Sequence, residues 1–266
     1  MTRLPPEFPP SFASACGDDE FGIWADLTVN DVTQRFRWIE PGEFLMGSPE
    51  NELDRSNVEG PQPRVRISQG YWLADTACTQ AFWLAVVGGE NPAHFNDDVQ
   101  NPIEGVSWNE INDQWFASLN KVLPDQFEAI LPSEAQWEYA CRAGTETPFS
   151  FGASITLDDV NYVADDSLTG LRRDRTVPVK SLPPNSWGLY EMHGNVMEWC
   201  RDGRFHYIGV LGVLVDPEGK ADGARTLRGG SWFHPTRYIR SAFRRAFNPE
   251  LRRAFIGFRL VLRLRK

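Results

Sequence analysis

The sequence predicts an α+β domain in which short strands and a few helices share a core with much irregular structure. Polar and apolar residues alternate in parts of the first quarter of the chain, and segments with helical spacing of apolar residues follow. After Gly144 the chain contains Gly, Pro, Asn and Asp throughout. The 266 residues are 41% hydrophobic and include ten Trp and seventeen Phe. This suits a substantial core, in one large domain or two small ones.

The strand predictions come from alternation and from turn residues. Residues 27–44 alternate and predict a hairpin, with Pro41 and Gly42 marking a turn. Residues 47–63 are polar and acidic, which is typical of a surface loop. Residues 64–73 alternate again and predict a further strand.

Three helices are predicted from their first residues. Thr79 is a candidate N-cap before an apolar run. Ser107 and Glu110 have the spacing of a capping box, and Ser133 with Gln136 repeats it. The second helix has apolar residues at helical spacing, namely Ile111, Trp115, Phe116 and Leu119.

Residues 1–25 are expected to be a proline-rich lead-in to a domain spanning 26–266. Met1–Pro10 contains no apolar segment of the secretory type, and no apolar run approaches the roughly 20 residues of a membrane helix. We therefore expect a cytoplasmic protein without a membrane partner. The four cysteines are far apart and are expected to be buried or free thiols: Cys16, Cys78, Cys141 and Cys200.

The net charge of −9 conceals an asymmetry along the chain. Residues 225–266 contain twelve Arg and Lys against one acidic residue, which leaves 15 basic and 35 acidic residues elsewhere. A basic end suits nucleic acid or another anionic partner. The alternative is that this end packs against the acidic body through internal ion pairs. We favour the ion pairs, because many of the arginines alternate with residues of core type.

Four motifs in order resemble the formylglycine-generating enzyme, or sulfatase-modifying factor, family. They are Phe44–Ser48, Leu131–Ala140, Asn185–Trp199, and the block from Leu227–Trp232 through Arg240–Ala242 to Ile256–Arg259. The resemblance covers the chain from about residue 35 to residue 260. It implies a C-type-lectin-like fold with a twisted antiparallel sheet, two main helices and long ordered loops. Within these motifs, Arg240 and Arg259 are expected to form buried bidentate pairs with carboxylates such as Glu198 or Glu138.

The resemblance also implies a chemistry that this chain lacks. Family members that generate formylglycine have two cysteines after the Arg-Gly-Gly-Ser-Trp motif, and these bind copper as thiolates. The matching positions here are His234 and Ile239, and no cysteine follows Cys200. We therefore expect neither copper nor formylglycine-generating activity. A non-heme iron enzyme acting on a thiol or peptide stays open as an alternative, with His206 and His234 as ligands and no identifiable third one.

A structural calcium ion is also implied by the resemblance. The expected ligands are the Glu191 side chain, the Gly194 and Val196 carbonyls and the Glu198 side chain. The family has Asn or Asp where this chain has Glu191, a departure that weakens the expectation. A second site would begin at Asn161, without a clear acidic partner later in the chain.

Residues 233–255 are the distinctive part of the sequence. Within this segment, nine positions are predicted to contact a ligand: Phe233, His234, Tyr238, Phe243, Arg245, Phe247, Leu251, Arg253 and Phe255. Aromatic residues and Arg are typical of binding hot spots. The layout resembles the variable proteins of diversity-generating retroelements, which have this fold and end in a variable segment closing with Ile-Gly-Phe-Arg.

We therefore expect a non-catalytic ligand-binding module whose ligand is a protein. Three alternatives remain open at this point. The Phe residues belong to the core and the Arg residues pair with the acidic body, the chain is a metal-dependent enzyme, or its basic end binds nucleic acid.

Overall fold

The computed structural model describes residues 4–164, 173–203, 212–220 and 223–265. The strands are β1 Ala15–Asp19, β2 Gly22–Val29, β3 Val32–Ile39, β4 Gly42–Leu45, β5 Arg64–Ile67, β6 Tyr71–Ala74, β7 Phe127–Ile130, β8 Met197–Trp199, β9 Val213–Val215, β10 Arg225–Arg228, β11 Arg244–Phe247, β12 Ile256–Phe258 and β13 Val261–Leu264. The helices are α1 Gln80–Val87, α2 Trp108–Glu110, α3 Phe116–Leu119 and α4 Glu134–Arg142. A π-helical turn, Ile111–Trp115, joins α2 to α3, and Asn57–Glu59 and Thr236–Tyr238 are 3-10 turns.

These strands form three sheets within the described ranges. The six-stranded sheet has the order β1-β2-β3-β6-β13-β7 and is antiparallel throughout. The four-stranded sheet has the order β11-β10-β8-β12, with β12 parallel to β8. The small third sheet has the order β4-β5-β9. Sheets with few helices and long connections confirm the α+β class that the sequence predicts.

The turn of the predicted hairpin, which is formed by β2 and β3, lies earlier in the chain than predicted. β2 and β3 pair up to Val29 opposite Val32, so the turn consists of Asn30 and Asp31. Both turn residues have positive φ, 45° and 64°, the conformation of a tight two-residue hairpin turn that Asn and Asp tolerate. Pro41 and Gly42 instead lead the chain from the six-stranded sheet into β4 of the third sheet. The turn predicted at Pro41-Gly42 is therefore wrong.

The segment predicted as one strand over residues 64–73 is two strands in different sheets. β5 pairs with β4 and β9, whereas β6 lies in the six-stranded sheet between β3 and β13. The preceding segment, residues 47–63, is a connection with many exposed residues, as predicted for a loop. Ser48 and Glu59 are exceptions, because both side chains are buried.

The expected boundary at residue 25 falls inside β2. Strand β1 pairs with β2 at the edge of the six-stranded sheet. Phe12 is buried and its ring makes edge contacts with Phe36, Trp72 and Phe127 at centroid distances of 5.0 to 5.9 Å. Residues 12–25 therefore belong to the folded domain and do not form a separate lead-in.

The three predicted helix starts are confirmed. Thr79 Oγ1 accepts a hydrogen bond from the Phe82 N–H at 3.1 Å. Ser107 and Ser133 each form the predicted capping box, with Glu110 and Gln136 respectively. The four apolar residues predicted to face inward after Ser107 are all buried. None of the helices in the described ranges is long and apolar enough to cross a membrane.

The basic end of the chain is paired with the acidic body, as we favoured from the sequence. Six of its arginines form ion pairs with carboxylates outside residues 225–266: Arg228, Arg240, Arg244, Arg252, Arg259 and Arg263. The pairs of four of these arginines, Arg228, Arg240, Arg244 and Arg259, are almost fully buried. A buried charge must be paired to be tolerated, so each of these pairs fixes one strand or loop to another.

Helix α4 is joined to the four-stranded sheet by such pairs. Arg228 of β10 pairs with Glu138 and also donates to the carbonyl oxygens of Ala242 (2.9 Å) and Phe243 (2.6 Å). Arg244 of β11 pairs with Glu134, one helical turn before Glu138. These two ion pairs therefore hold helix α4 against β10 and β11.

The two arginines predicted to form buried pairs do so, one of them with a different partner. Arg259 donates to both oxygens of Glu198, at 2.9 to 3.2 Å, as predicted. Arg240 pairs with Glu59 and Glu52, not with Glu198 or Glu138. This contact holds the 47–63 segment against the C-terminal part of the chain.

We predict that Arg259→Leu lowers the free energy of unfolding by about 3 kcal/mol or more, because it leaves buried Glu198 without its charged partner. The matched control is Arg263→Leu, which breaks a partly exposed pair with Glu128 and is expected to cost less than about 1 kcal/mol. Urea unfolding of the two variants measures the difference. Equal losses would show that burial does not determine the strength of these pairs.

Candidate functional site

The candidate site is an aromatic surface formed by the C-terminal segment, which we call the C-terminal face and define as Phe233, His234, Tyr238, Arg245 and Phe255. Phe233 is 55% exposed, and its ring stacks on Phe255 with centroids 5.5 Å apart. The His234 ring contacts Phe255 at 5.2 Å and Tyr238 at 5.8 Å. Arg245 is exposed, with its guanidinium 5.6 Å from the centre of the Tyr238 ring. These five predicted positions therefore form one continuous surface.

The other four predicted positions are divided between surface and core. Arg253 is exposed. Phe247 and Leu251 are half-buried and pack against the main hydrophobic core. Phe243 is only 7% exposed and is a member of that core. Phe243 is therefore mainly a core residue, and its contact with a ligand stays a prediction.

The face is held in place by tight turns and by hydrogen bonds between residues distant in sequence. Gly229 and Gly230 have φ of 88° and 66°, and a Cβ on Gly230 would lie 2.4 Å from the Tyr238 carbonyl oxygen. Only glycine fits this approach. Trp232 Nε1 donates to the Ala254 carbonyl at 3.0 Å, which joins the two ends of the segment. The aromatic side chains are thus displayed from a constrained backbone.

Sequence reasoning missed three contributors to this surface. Arg237 is exposed and its guanidinium lies 4.5 Å from the centre of the Tyr238 ring. Phe95 contacts Trp232 at 5.4 Å, and Arg175 lies 5.3 Å from the Phe95 ring centre. Arg237 stands in the segment and could have been included for its composition. Phe95 and Arg175 come from distant loops and carry no local signal.

His234 is held as a neutral side chain. Its Nδ1 lies 2.6 Å from Ser231 Oγ in a hydrogen bond. Burial, followed by the positive charge of Arg245, lowers the pKa of His234 to about 4. His234 is thus uncharged at neutral pH and contributes an apolar ring face and a polar edge to the surface.

The second position of the family's cysteine pair is closed. Ile239 is fully buried and packs with Phe149, Val160 and Tyr162 in a small separate core cluster. No hydrocarbon side chain binds a metal, and this one fills the space that a second ligand would need. Of the two candidate iron ligands, His206 lies outside the described residues. Within the described ranges, no group of three His, Cys, Asp or Glu side chains is placed to hold a metal ion.

The remaining histidine and cysteine side chains near the motifs are structural. His193 is buried, donates from Nδ1 to the Ile239 carbonyl at 2.8 Å and accepts at Nε2 from the Ser150 N–H at 3.1 Å. Burial lowers the pKa of His193 to about 4. Burial also raises the pKa of the Cys141 thiol to about 12, so it is a poor nucleophile.

The residues expected to hold calcium fit an oxygen cage poorly. Both oxygens of Glu198 already accept hydrogen bonds, from Arg259 and from Trp137 Nε1 at 2.7 Å. The charge of Arg259 would also repel a divalent cation there. By contrast, Glu191 is buried and neither of its oxygens accepts a well-formed hydrogen bond from the described residues. Calcium binding stays a prediction. Of its two expected side-chain ligands, Glu198 is already engaged and Glu191 is available.

Among the residues that the structure describes, clefts large enough for a ligand side chain include the following two. One, of about 330 Å³, adjoins the C-terminal face and is lined by Asp54, Ser56, Val58, Glu59, Arg237, Tyr238, Phe243, Arg244 and Arg245. The other, of about 350 Å³, lies between residues 4–7 and the six-stranded sheet and includes Trp38, Trp72 and Phe127. It contains no residue of the C-terminal face. The first cleft is therefore the one that belongs to the candidate site.

Comparison with known proteins agrees with the fold. Residues 26–264 match the family described as sulfatase-modifying factor enzyme 1-like domain. Formylglycine-generating enzyme of Thermomonospora curvata is 29% identical over 224 residues, which cover 73% of this chain and 69% of the relative. Serine/threonine-protein kinase pkn1 of Chlamydia caviae is 28% identical over 251 residues, which cover 84% of this chain but 37% of the kinase. The chain thus spans little more than a third of that relative's length.

Two solved structures are similar over nearly their whole length. Treponema denticola variable protein 1 superposes with a TM-score of 0.75 at 26% identity, covering 90% of this chain and 98% of its own. PvdO from Pseudomonas aeruginosa superposes with a TM-score of 0.74 at 25% identity, covering 95% and 99%. These neighbours share the C-type-lectin-like fold.

The depressed pKa of His234 predicts a pH dependence of stability. The unfolded chain takes up a proton at His234 near pH 6.5, whereas the folded chain does so only near pH 4. Stability due to this residue is therefore complete above pH 6.5 and is lost as the pH falls toward 4, by at most about 1.4 kcal/mol per pH unit.

We expect His234→Phe to lose less free energy of unfolding between pH 7 and pH 5 than the wild type. Urea unfolding at both pH values measures this difference. Equal losses in the two proteins would show that His234 is not held neutral.

Proposed function

The chain belongs to the family of sulfatase-modifying factor enzyme 1-like domains, and from that premise we propose that it is a non-catalytic binding module. Its C-terminal face contacts a protein ligand. The observation that carries this proposal is the stacked pair of Phe233 and Phe255, displayed on a constrained backbone with Phe233 more than half exposed. Exposed aromatic side chains next to Arg are typical of protein-binding hot spots.

The cysteine positions support the non-catalytic part of the proposal. His234 is engaged with Ser231 and two aromatic rings, and Ile239 belongs to a core cluster. A cuprous ion selects paired soft ligands, and these two side chains do not supply them. The face thus occupies the position of the family's reactive centre while offering contact surface instead.

The likeness to Treponema denticola variable protein 1 supports a finer proposal, that the segment 233–255 is diversified in sequence. Phe233, Arg245 and Arg253 are exposed, so their replacement leaves the core intact. Arg240 and Arg244 in the same segment are buried in ion pairs and are expected to be constant. Sequencing this gene from many related isolates tests the proposal. Differences spread evenly over exposed and buried positions would contradict it.

Site-specific crosslinking tests whether the face binds a protein. Benzoylphenylalanine at position 233 is expected to capture a discrete protein partner on illumination in cells that express the chain. The matched control is the same residue at Val122, which is 62% exposed and lies before β7, outside both the face and the cleft beside it. Capture of the same proteins at both positions, or no capture at position 233, would contradict the proposal.

Metal analysis tests the competing oxygen-using enzyme. Protein purified without chelator is expected to contain neither iron nor copper in stoichiometric amount. One equivalent of either metal, with oxygen consumption in the presence of a thiol or peptide, would overturn the non-catalytic assignment.

A further inference from the structure

The loop between β4 and β5 carries an exposed leucine at the tip of a turn. Leu53 is 82% exposed. The turn around it is closed by a hydrogen bond from the Arg55 N–H to the Glu52 carbonyl at 3.3 Å. Asp54, the next residue, has φ of 61°, a left-handed conformation that Asp tolerates in turns. The side chain of Leu53 therefore projects from the turn into solvent.

Both neighbours of Leu53 bind one buried arginine of the C-terminal segment. Arg240 Nη1 donates to Glu52 Oε1 at 2.5 Å, and Arg240 Nη2 donates to the Asp54 carbonyl at 3.0 Å. The side chains of Arg240 and Glu52 are both buried. Arg240 also donates to the two oxygens of Glu59, each at 2.8 Å. The turn is thus anchored on each side of Leu53 to the segment that carries the C-terminal face.

The same loop forms one wall of the cleft beside the face. Four residues of the cleft lining come from this loop, namely Asp54, Ser56, Val58 and Glu59. Val58 is 37% exposed and lies in a 3-10 turn in which the Ser56 N–H donates to Glu59 Oε1 at 3.2 Å. Its carbonyl accepts a hydrogen bond from Arg244 at 3.3 Å. Because the opposite wall belongs to the C-terminal segment, a ligand that covers the C-terminal face and enters the cleft also meets this loop.

Charge does not select a ligand at this cleft. Among the described residues, the charges of the lining and of the groups paired with Arg240 and Arg244 are balanced. Four arginines are opposed by four carboxylates: Arg237, Arg240, Arg244 and Arg245 against Glu52, Asp54, Glu59 and Glu134. What the loop adds to the surface is hydrocarbon, from Leu53 and Val58. A single exposed leucine is ordinary, but exposed hydrocarbon grouped beside a cleft is typical of a protein-binding surface.

We propose that Leu53 and Val58 form a second contact area for the protein ligand, which places an apolar side chain in the cleft between this area and Tyr238. This inference rests on the proposed function, because it extends the binding surface beyond the C-terminal face to a loop outside residues 233–255. The pair of Glu52 with Arg240 holds Leu53 in its exposed position before the ligand binds, so little conformational entropy is lost at this contact. Glu52 and Arg240 are thereby positioning residues.

Crosslinking at position 53 tests the contact area. Benzoylphenylalanine at this position is expected to capture the same protein as at position 233, identified by mass spectrometry, because one ligand covers both positions. The same residue at Val122 is the matched control and should not capture that protein, since Val122 lies outside the cleft. Capture at position 233 without capture of the same protein at position 53 overturns this inference and leaves the proposed function standing. Capture of a second copy of this chain at position 53 also overturns it, and no capture at either position overturns both proposals.

Substitutions test the contribution of Leu53 itself. Leu53→Ser is expected to lower the yield of capture at position 233 about fivefold or more, as truncation of a side chain important for binding does. Val122→Ser is the matched control and should leave the yield unchanged. Both side chains are exposed, so both variants should melt within a few degrees of the wild type. An unchanged yield in Leu53→Ser overturns the contact area.

A double variant tests whether Glu52 acts through Leu53. Glu52→Ala should lower the yield at position 233, and Arg240 keeps its two hydrogen bonds to Glu59 in this variant, so the loop stays attached. In a Leu53→Ser background, Glu52→Ala is expected to have no further effect, because its role is to position Leu53. A merely structural role of Glu52 would instead give additive losses. Additive losses, or an unchanged yield in Glu52→Ala alone, would overturn the positioning role.

Discussion

The structure depends on arginines that are buried against carboxylates from distant parts of the chain. Arg228 and Arg244 join β10 and β11 to helix α4, and Arg259 joins the end of β12 to Glu198 of β8. A fold with few helices and long connections has fewer regular backbone ladders to hold its loops. Bidentate pairs in a low-dielectric interior supply strong, directional contacts instead. Removing one partner leaves an uncompensated charge, so the network tolerates little change.

That network separates two kinds of residue within one short segment. Arg240 and Arg244 are directed inward and fix the segment to Glu59 and Glu134. Phe233 and Arg245 are directed outward and take no part in those contacts. We propose that stability comes from the inward set, which leaves the outward set available for binding. The same backbone can therefore present different surfaces at little cost in folding.

The sequence predicts local features of this fold well and long-range partners less well. Capping at Thr79, Ser107 and Ser133 is confirmed because a cap is formed by residues three positions apart. The turn between β2 and β3 was misplaced because Pro41 and Gly42 were given more weight than the Asn-Asp pair that makes the turn. Partners of Arg240 lie about 180 residues away, and no local pattern identifies them.

In the candidate site, too, the sequence predicts some features and misses others. Five of its nine predicted positions form the surface, since aromatic and Arg composition identifies an exposed patch. The burial of Phe243 could not be predicted, because buried and exposed residues alternate irregularly in this segment. Phe95 contacts Trp232 from a loop that is distant in sequence, so no local pattern indicates this contact. The absent cysteine pair was readable directly, but only the structure places Ile239 in a core cluster.

The central claim is that a fixed scaffold carries a replaceable surface, and tolerance to randomisation measures this most directly. One library randomises the exposed positions Phe233, Arg237, Arg245 and Arg253, and a second randomises the buried Arg228, Arg240, Arg244 and Arg259. Thermal unfolding of individual clones from each library is then compared. The account predicts that most clones of the first library melt within a few degrees of the wild type, while most of the second fail to fold. Similar loss of folding in both libraries would contradict it.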